Sequence, residues 1–168
     1  IVAKAASTLS IDAIANQTYT GSALTPTVVV KDGSTTLTLD TDYTVGYSNN
    51  TNVGTATVTI TGIGNYTGTK TQNFSIVAES ASTLSIDAIA NQTYTGAALT
   101  PAVVVKAGST TLILNTDYTV GYSNNTNVGT GTATITGIGN YSGSSTQNFT
   151  IVAKAASTLS IDAIANQT

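Results

Sequence analysis

The chain contains no histidine, cysteine, methionine or tryptophan, has two prolines, and carries charge on only 8% of its 168 residues, against an ordinary share of about 25%. Without His or Cys the usual nucleophile and base pairs are gone, leaving only a Ser-Lys or a carboxylate pair for covalent catalysis. Without Cys no disulfide framework exists, and the redox compartment is left undetermined. All five basic residues are lysines and the net charge is -3, so a basic patch for a phosphate backbone is missing and nucleic acid is excluded as a partner. Apolar runs are short, such as 28–30, whereas a membrane-spanning helix needs about 20 residues. No membrane span is expected. Between Asp117 and Lys154 there is no Asp, Glu, Lys, Arg or His.

What is present is β-branched, polar and periodic. The alternation of Val, Ile, Leu and Tyr with Thr gives the chain apolar surface to bury and argues against disorder. The chain opens with IVAKAAS, without a Met or an export signal, and reads as an excerpt of something longer. Internal similarity settles the organisation. ASTLSIDAIANQTYTG at Ala6 returns 75 positions later at Ala81, and 6–80 differs from 81–155 at about 13 positions. The first eighteen residues recur letter for letter from Ile151. We read 1–5 as the tail of a preceding repeat, 6–80 and 81–155 as two domains, and 156–168 as the first-strand fragment of a third. Such a fragment buries no core alone, so it is expected to be loose or borrowed by a neighbouring molecule.

Within a copy the period is two: Ala56, Val58 and Ile60 alternate with Thr55, Thr57, Thr59 and Thr61, the pattern of a strand with one packed and one wet face. Strands are predicted at 7–14, 17–20, 26–31, 35–39, 43–48, 53–61 and 69–77, with equivalents 75 residues on. Turn chemistry fills the gaps: KDGS at 31–34, SNNTN at 48–52 and GIGN at 62–65. Seven short strands predict an all-β fold of tandem antiparallel β-sandwich domains. The short segment joining the copies predicts an end-to-end rod, each domain roughly 35 Å long at a rise of about 3.3 Å per residue. Threonine suits the outward face of such strands. It also guards their edges less well than lysine would, so lateral association of the rods is expected.

YTG from Tyr19, Pro26, DYTVGYSNN from Asp42, VGTATVTITGIGNYTG from Val53 and NFSI from Asn73 together resemble the bacterial immunoglobulin-like repeats of large surface proteins, close to the MBG type. The likeness covers both full copies. It implies an Ig-like β-sandwich fold, an exported multi-repeat stalk or adhesin region on the bacterial cell surface, and no catalysis. It names no ligand.

Asp40 and Asp42, two apart on a predicted strand, would sit roughly 7 Å apart on one face, but no cleft follows and Asn115 replaces Asp40 in the second copy; the chain is expected not to be an enzyme. Asp40, Asp42, Asn49, Asn50 and Asn52 offer hard oxygen ligands, which leaves Ca2+ as the one cofactor in play, although turn hydrogen bonds are the favoured account of Asp and Asn there. Lys31 and Lys106 hold equivalent places in both copies and are the candidates for an internal lysine-asparagine crosslink, the kind of staple a domain of about 75 residues could use. Threonines alternating through 55–61 and 130–136 have the spacing of ice-binding surfaces; those need many rows in a flat array, and a small twisted sandwich offers few. The N-x-S/T triplets at Asn16, Asn49, Asn65 and Asn73 meet the glycan-acceptor pattern and are expected to be bare on a bacterial protein. The tyrosines are expected in the core, with hydroxyls at the rim.

Two functional readings emerge. In the first, the repeats are a structural spacer or stalk of an extracellular, adhesin-like or fibre-forming bacterial surface protein, its partners being neighbouring repeats of the same chain, with homotypic assembly through the 151–168 strand. In the alternative, the Asn/Gly/Tyr-rich loops form a carbohydrate- or protein-binding module through Asn49, Asn50, Asn52 and Tyr66 and their counterparts Asn124, Asn125, Asn127 and Tyr141.

Overall fold

A computed structural model of the chain describes residues 2–158 and 162. Most of the 156–168 fragment, and with it the proposed 151–168 assembly strand beyond 158, lies outside the described residues. The chain divides into two units: Ile1–Glu79 with Gly139–Ser142, and Ser80–Ile138 with Gly143–Thr168.

In the first unit the strands are β1 (Lys4–Ala5), β2 (Ser10–Ile11), β3 (Gln17–Thr18), β4 (Val30–Asp32), β5 (Thr35–Thr36), β6 (Tyr43–Ser48), β7 (Gly54–Gly62), β8 (Tyr66–Thr67) and β9 (Thr69–Val77). They build a four-stranded sheet of order β3-β9-β7-β6, a three-stranded sheet β2-β4-β5 and a two-stranded ladder β1-β8. Pairing is antiparallel in the two larger sheets except where β3 runs parallel to β9; β1 is likewise parallel to β8. The rest of the chain supplies β10 (Glu79–Ser80), β11 (Ser85–Ile86), β12 (Gln92–Thr93), β13 (Val105–Ala107), β14 (Thr110–Thr111), β15 (Tyr118–Ser123), β16 (Gly129–Gly137), β17 (Tyr141–Ser142) and β18 (Ser144–Val152). Its larger sheets, β12-β18-β16-β15 and β11-β13-β14, repeat the first pattern. The fold is therefore all-β and built twice.

The period-two reading explains the long strands. Ala56, Val58 and Ile60 of β7 are fully buried, and Phe74 and Ile76 of β9 join them in one core with Val30 and Leu37 from the smaller sheet. The opposite face pairs Thr44 with Thr61 and Thr61 with Thr69, then Ser48 with Thr57 and Thr57 with Asn73, a hydroxyl surface without charge. Gly33 sits at φ 59° in the two-residue turn between Asp32 and Thr35, the first central position where hairpin turns of this length favour glycine.

The predicted strands at 7–14 and 26–31 are mostly something else. Ala6–Thr8 is a single 3-10 turn that buries Ala6 completely, and only Ser10–Ile11 pairs after it. The stretch before Val30 is held by tyrosine hydroxyls: Tyr43 donates to the Val28 carbonyl at 3.2 Å and Tyr47 to the Pro26 carbonyl at 2.6 Å. Proline has no N–H to offer a ladder, which favours this arrangement.

Candidate functional site

The loop after β6 begins at Asn49, which has φ 54°; its counterpart Asn124 has φ 53°. Asparagine tolerates this left-handed backbone better than most residues. Asn50 then binds a neighbouring loop twice, its Nδ2 donating to the Leu24 carbonyl at 2.9 Å and its own carbonyl accepting from the Leu24 amide at 2.8 Å. Asn125 does the same with Leu99. Asn52 Oδ1 accepts from Asn140 Nδ2 at 3.2 Å within the first unit, and Asn127 is exposed. An open hollow of about 330 Å3 lies along 49–55 and one of about 300 Å3 at 124–130. Both are largely backbone and uncharged side chains.

Tyr66 is not part of that hollow. The SNNTN loop precedes β7 and the GIGNY loop follows it, and nine residues of extended strand separate them by about 30 Å. The two loops thus occupy opposite ends of the strand in each copy and form no common surface within one. Tyr66 donates to Asp32 Oδ2 at 3.3 Å, while Lys4 Nζ sits 2.5 Å from Asp32 Oδ1. The hydrogen bond from Lys4 lowers the Asp32 pKa, against a smaller opposing effect of burial. Tyr141 is buried, its ring edge-on to Tyr19 at 5.6 Å.

Lys31 Nζ lies 2.6 Å from Asp12 Oδ2, and Lys106 Nζ lies 2.8 Å from Asp87 Oδ2. Both lysines are therefore ion-paired to a carboxylate on the facing strand segment, with about a third of each side chain exposed. Among the described residues no asparagine side chain is bonded to either amine. The partner aspartates escaped the reading of the sequence, although the signal was there: Asp12 and Lys31 keep both their identities and their separation in the second copy.

The carboxylates proposed for calcium are placed by backbone needs. Asp40 and Asp42 lie on a turn rather than a strand. Asp40 has φ 62° and Asn115 φ 65°, so the exchange of Asp for Asn keeps a residue suited to the left-handed region. Asp42 Oδ2 accepts from the Thr38 amide at 2.8 Å and Asp117 Oδ2 from the Ile113 amide at 2.8 Å. Among the described residues no group of three or more Asp, Glu, His or Cys converges on a point that could hold a metal ion, and no helix is long and apolar enough to cross a membrane.

Tyr43, Tyr47, Tyr118 and Tyr122 line the inner side of the edge strands and bond main-chain carbonyls through their hydroxyls. Burial raises the pKa of each. The acceptor-pattern residues Asn16, Asn49, Asn65 and Asn73 are all exposed. No family model matches the chain, and the comparison with curated proteins gives no match. The chain is a tandem pair of similarly built all-β domains.

Proposed function

We propose that the chain is a repeat segment of a structural spacer, the stalk of an extracellular bacterial surface protein of adhesin-like or fibre-forming type, its domains being Ig-like sandwiches of the MBG kind joined end to end. The observation that carries this reading is how the polar side chains are used. The carboxylates and amides that a catalytic or metal site would need instead fix turns, pair with lysines or tie loops together, and Asp12, Asp42 and Asn50 do so alike in both copies. The side chains left facing water on the large sheets are mostly threonine and serine, which suit a surface whose product is length and solubility. About 13 substitutions between the copies leave every sheet order unchanged, as a role set by architecture rather than by one site would permit.

Small-angle scattering on arrays of two, four and six copies tests it. The maximum dimension should grow by a fixed step per copy, of roughly one domain length. A dimension that plateaus as copies are added would show collapse into a compact body and end the proposal.

A further inference from the structure

The four-stranded sheet of each unit ends in an unguarded strand. β6 is terminal in the order β3-β9-β7-β6, and β15 is terminal in its counterpart. Which backbone groups face outward follows from two bonds. The Asp42 carbonyl accepts from Ile63 on the β7 side, whereas the Tyr43 carbonyl accepts from the Asp40 amide on the other. With strand alternation, Val45 and Tyr47 then aim their amides and carbonyls away from the sheet. Among the described residues no hydrogen bond satisfies them, nor those of Val120 and Tyr122.

Natural edges are normally blunted by lysine, proline, a bulge or an inward charge. The sequence of both strands is YTVGYS, which has none of these.

A second observation concerns the glycine at the centre. Gly46 and Gly121 have no left-handed φ. A methyl group at Gly46 would meet only the Thr59 carbonyl oxygen at 3.9 Å, and one at Gly121 would meet nothing within 4 Å. Neither turn geometry nor crowding within the unit explains a residue that costs a strand about 0.5–1 kcal/mol. A mid-strand glycine of this sort commonly marks close approach by another backbone. Beside β15 there is room for one: a groove of about 420 Å3, bordered by Pro101, Ala102, Leu114, Val120 and Tyr122, where Leu114 is 49% exposed.

We propose that this edge pairs antiparallel with the same edge of a second copy of the chain, with the glycines facing each other on the twofold axis. In that register Val45 meets Tyr47 of the other strand and Tyr47 meets its Val45 as hydrogen-bonded pairs, so the outward groups of both residues are satisfied. The glycines form the intervening non-hydrogen-bonded pair, where Cα atoms approach to about 4.5 Å. Thr44 falls opposite Ser48 on the hydroxyl face. Valine against tyrosine is a favourable cross-strand pair. An isologous contact sets each patch against its own copy, so a charge at the central position would face its own copy and one elsewhere on the strand would still lie in a patch of like charge; the absence of charge on YTVGYS therefore selects a second copy over a charged peptide as the occupant. Because β6 and β15 share one sequence, each chain offers two such edges. The inference rests on the sheet edge and stands apart from the spacer reading.

Sedimentation velocity of the 168-residue chain over a wide concentration range tests it by valence. The native chain should form species larger than dimers as concentration rises. Gly121→Lys, with one edge blocked, should stop at dimers, and Gly46→Lys with Gly121→Lys should remain a single chain throughout. Mixing that double variant with Gly46→Glu/Gly121→Glu should restore association, since opposite charges then face each other; this arm also shows that the variants are folded. Amide exchange at Val45 and Tyr47 in the native chain should slow as concentration rises. A native chain that stays monomeric with concentration-independent exchange would overturn the proposal, as would lysine variants that associate like the native chain. Neither result would touch the scattering test of the spacer.

Discussion

Replacing Val58 by alanine, alone and together with Ala56→Gly, turns the core of the first unit into that of the second. At these adjacent inward positions of the long strand the second unit has Gly131 and Ala133, and Ala56, Val58 and Ala133 are all fully buried. The gap at 131 is occupied. A Cβ built there would lie 2.5 Å from Phe149 Cζ and 2.8 Å from both Cε atoms, so the ring fills the space of the missing methyl. In that position it meets Tyr122 edge-on at 6.4 Å. Val58→Ala removes two carbons, about 1.6 kcal/mol at roughly 0.8 per methylene. A residual cavity of about 40 Å3 at about 24 cal/mol per Å3 adds about 1 kcal/mol. Ala56→Gly removes one carbon and adds backbone entropy, about 1.5 kcal/mol together. The singles therefore sum to about 4 kcal/mol. In the double variant Phe74 can adopt the Phe149 position and gain an edge contact with Tyr47, worth about 0.5–1.5 kcal/mol, so the pair should cost about 3 and show coupling of about 1 kcal/mol.

Hydrogen exchange read by mass spectrometry in graded urea is the assay, because peptides spanning 54–70 and 129–145 differ in sequence at Thr67, Thr69 and Lys70 even in the double variant and report on each unit separately. Amides of the central strands exchange only when their unit opens. A Val58→Ala cost below about 0.5 kcal/mol would refute the packing argument. A double variant costing the full sum or more would refute the ring movement. The same reasoning orders the native units. The second lacks three buried carbons, and it has Ala107 and Ser145 where the first has Asp32 and Lys70, which bind Lys4 and the Leu9 carbonyl. Strand 129–137 should open more readily than 54–62 by about 3 kcal/mol, a factor of about 150.

Three further outcomes follow from particular contacts. Gly62→Ala would place its Cβ 2.7 Å from the Thr67 nitrogen and 2.8 Å from Tyr66 Cβ; these neighbours belong to a paired strand and cannot step aside, so a loss of about 2–3 kcal/mol should appear as a lower urea midpoint, and an unchanged midpoint refutes the crowding. Burial raises the pKa of Tyr43, Tyr47, Tyr118 and Tyr122, so these groups stay protonated in the fold while the unfolded chain ionises near pH 10; stability should be lost as pH rises from about 10 through the raised values, and a midpoint flat through the phenolate titration would contradict it. The Asp32 pKa is lowered by its bond from Lys4, so its contribution is present above the ordinary carboxylate value of 3.8 and lost as pH falls through the lowered one; Asp32→Ala should remove that part of the acid limb from the first unit, seen as exchange in 54–62 that no longer accelerates there, and an unaltered acid limb would exclude the pair as its source.

The sequence displays some of this fold directly and hides the rest for physical reasons. Strands 43–48 and 69–77 have the predicted bounds and β7 is displaced by one residue, because inward Val and Ile alternating with outward Thr is a local signal. The pairing of Lys4–Ala5 with Tyr66–Thr67 leaves no such trace, being a contact between segments about sixty residues apart. The 26–29 stretch is equally hidden, since phenol-to-carbonyl bonds have no period. For the candidate site, residue type was legible where partner was not: Asn49, Asn50 and Asp42 read correctly as turn formers, but the bonds from Asn50 to Leu24 and from Lys31 to Asp12 require the fold. The duplication itself narrows that gap. Through about 13 differences the charges kept at equivalent places are Asp12, Lys31 and Asp42, the three that pair with each other or hold a turn amide. The charges that vary change in compatible sets: where the strand-leading residue is Lys4 its facing residue is Asp32, and where it is Glu79 that position is Ala107, so an acid is never set against an acid. Two copies in one chain thus act as a mutagenesis experiment already carried out. Read as one, they separate charges the architecture requires from charges it tolerates, and Gly46 with Gly121, retained in both without need inside either, belongs to a third class whose reason lies outside the unit.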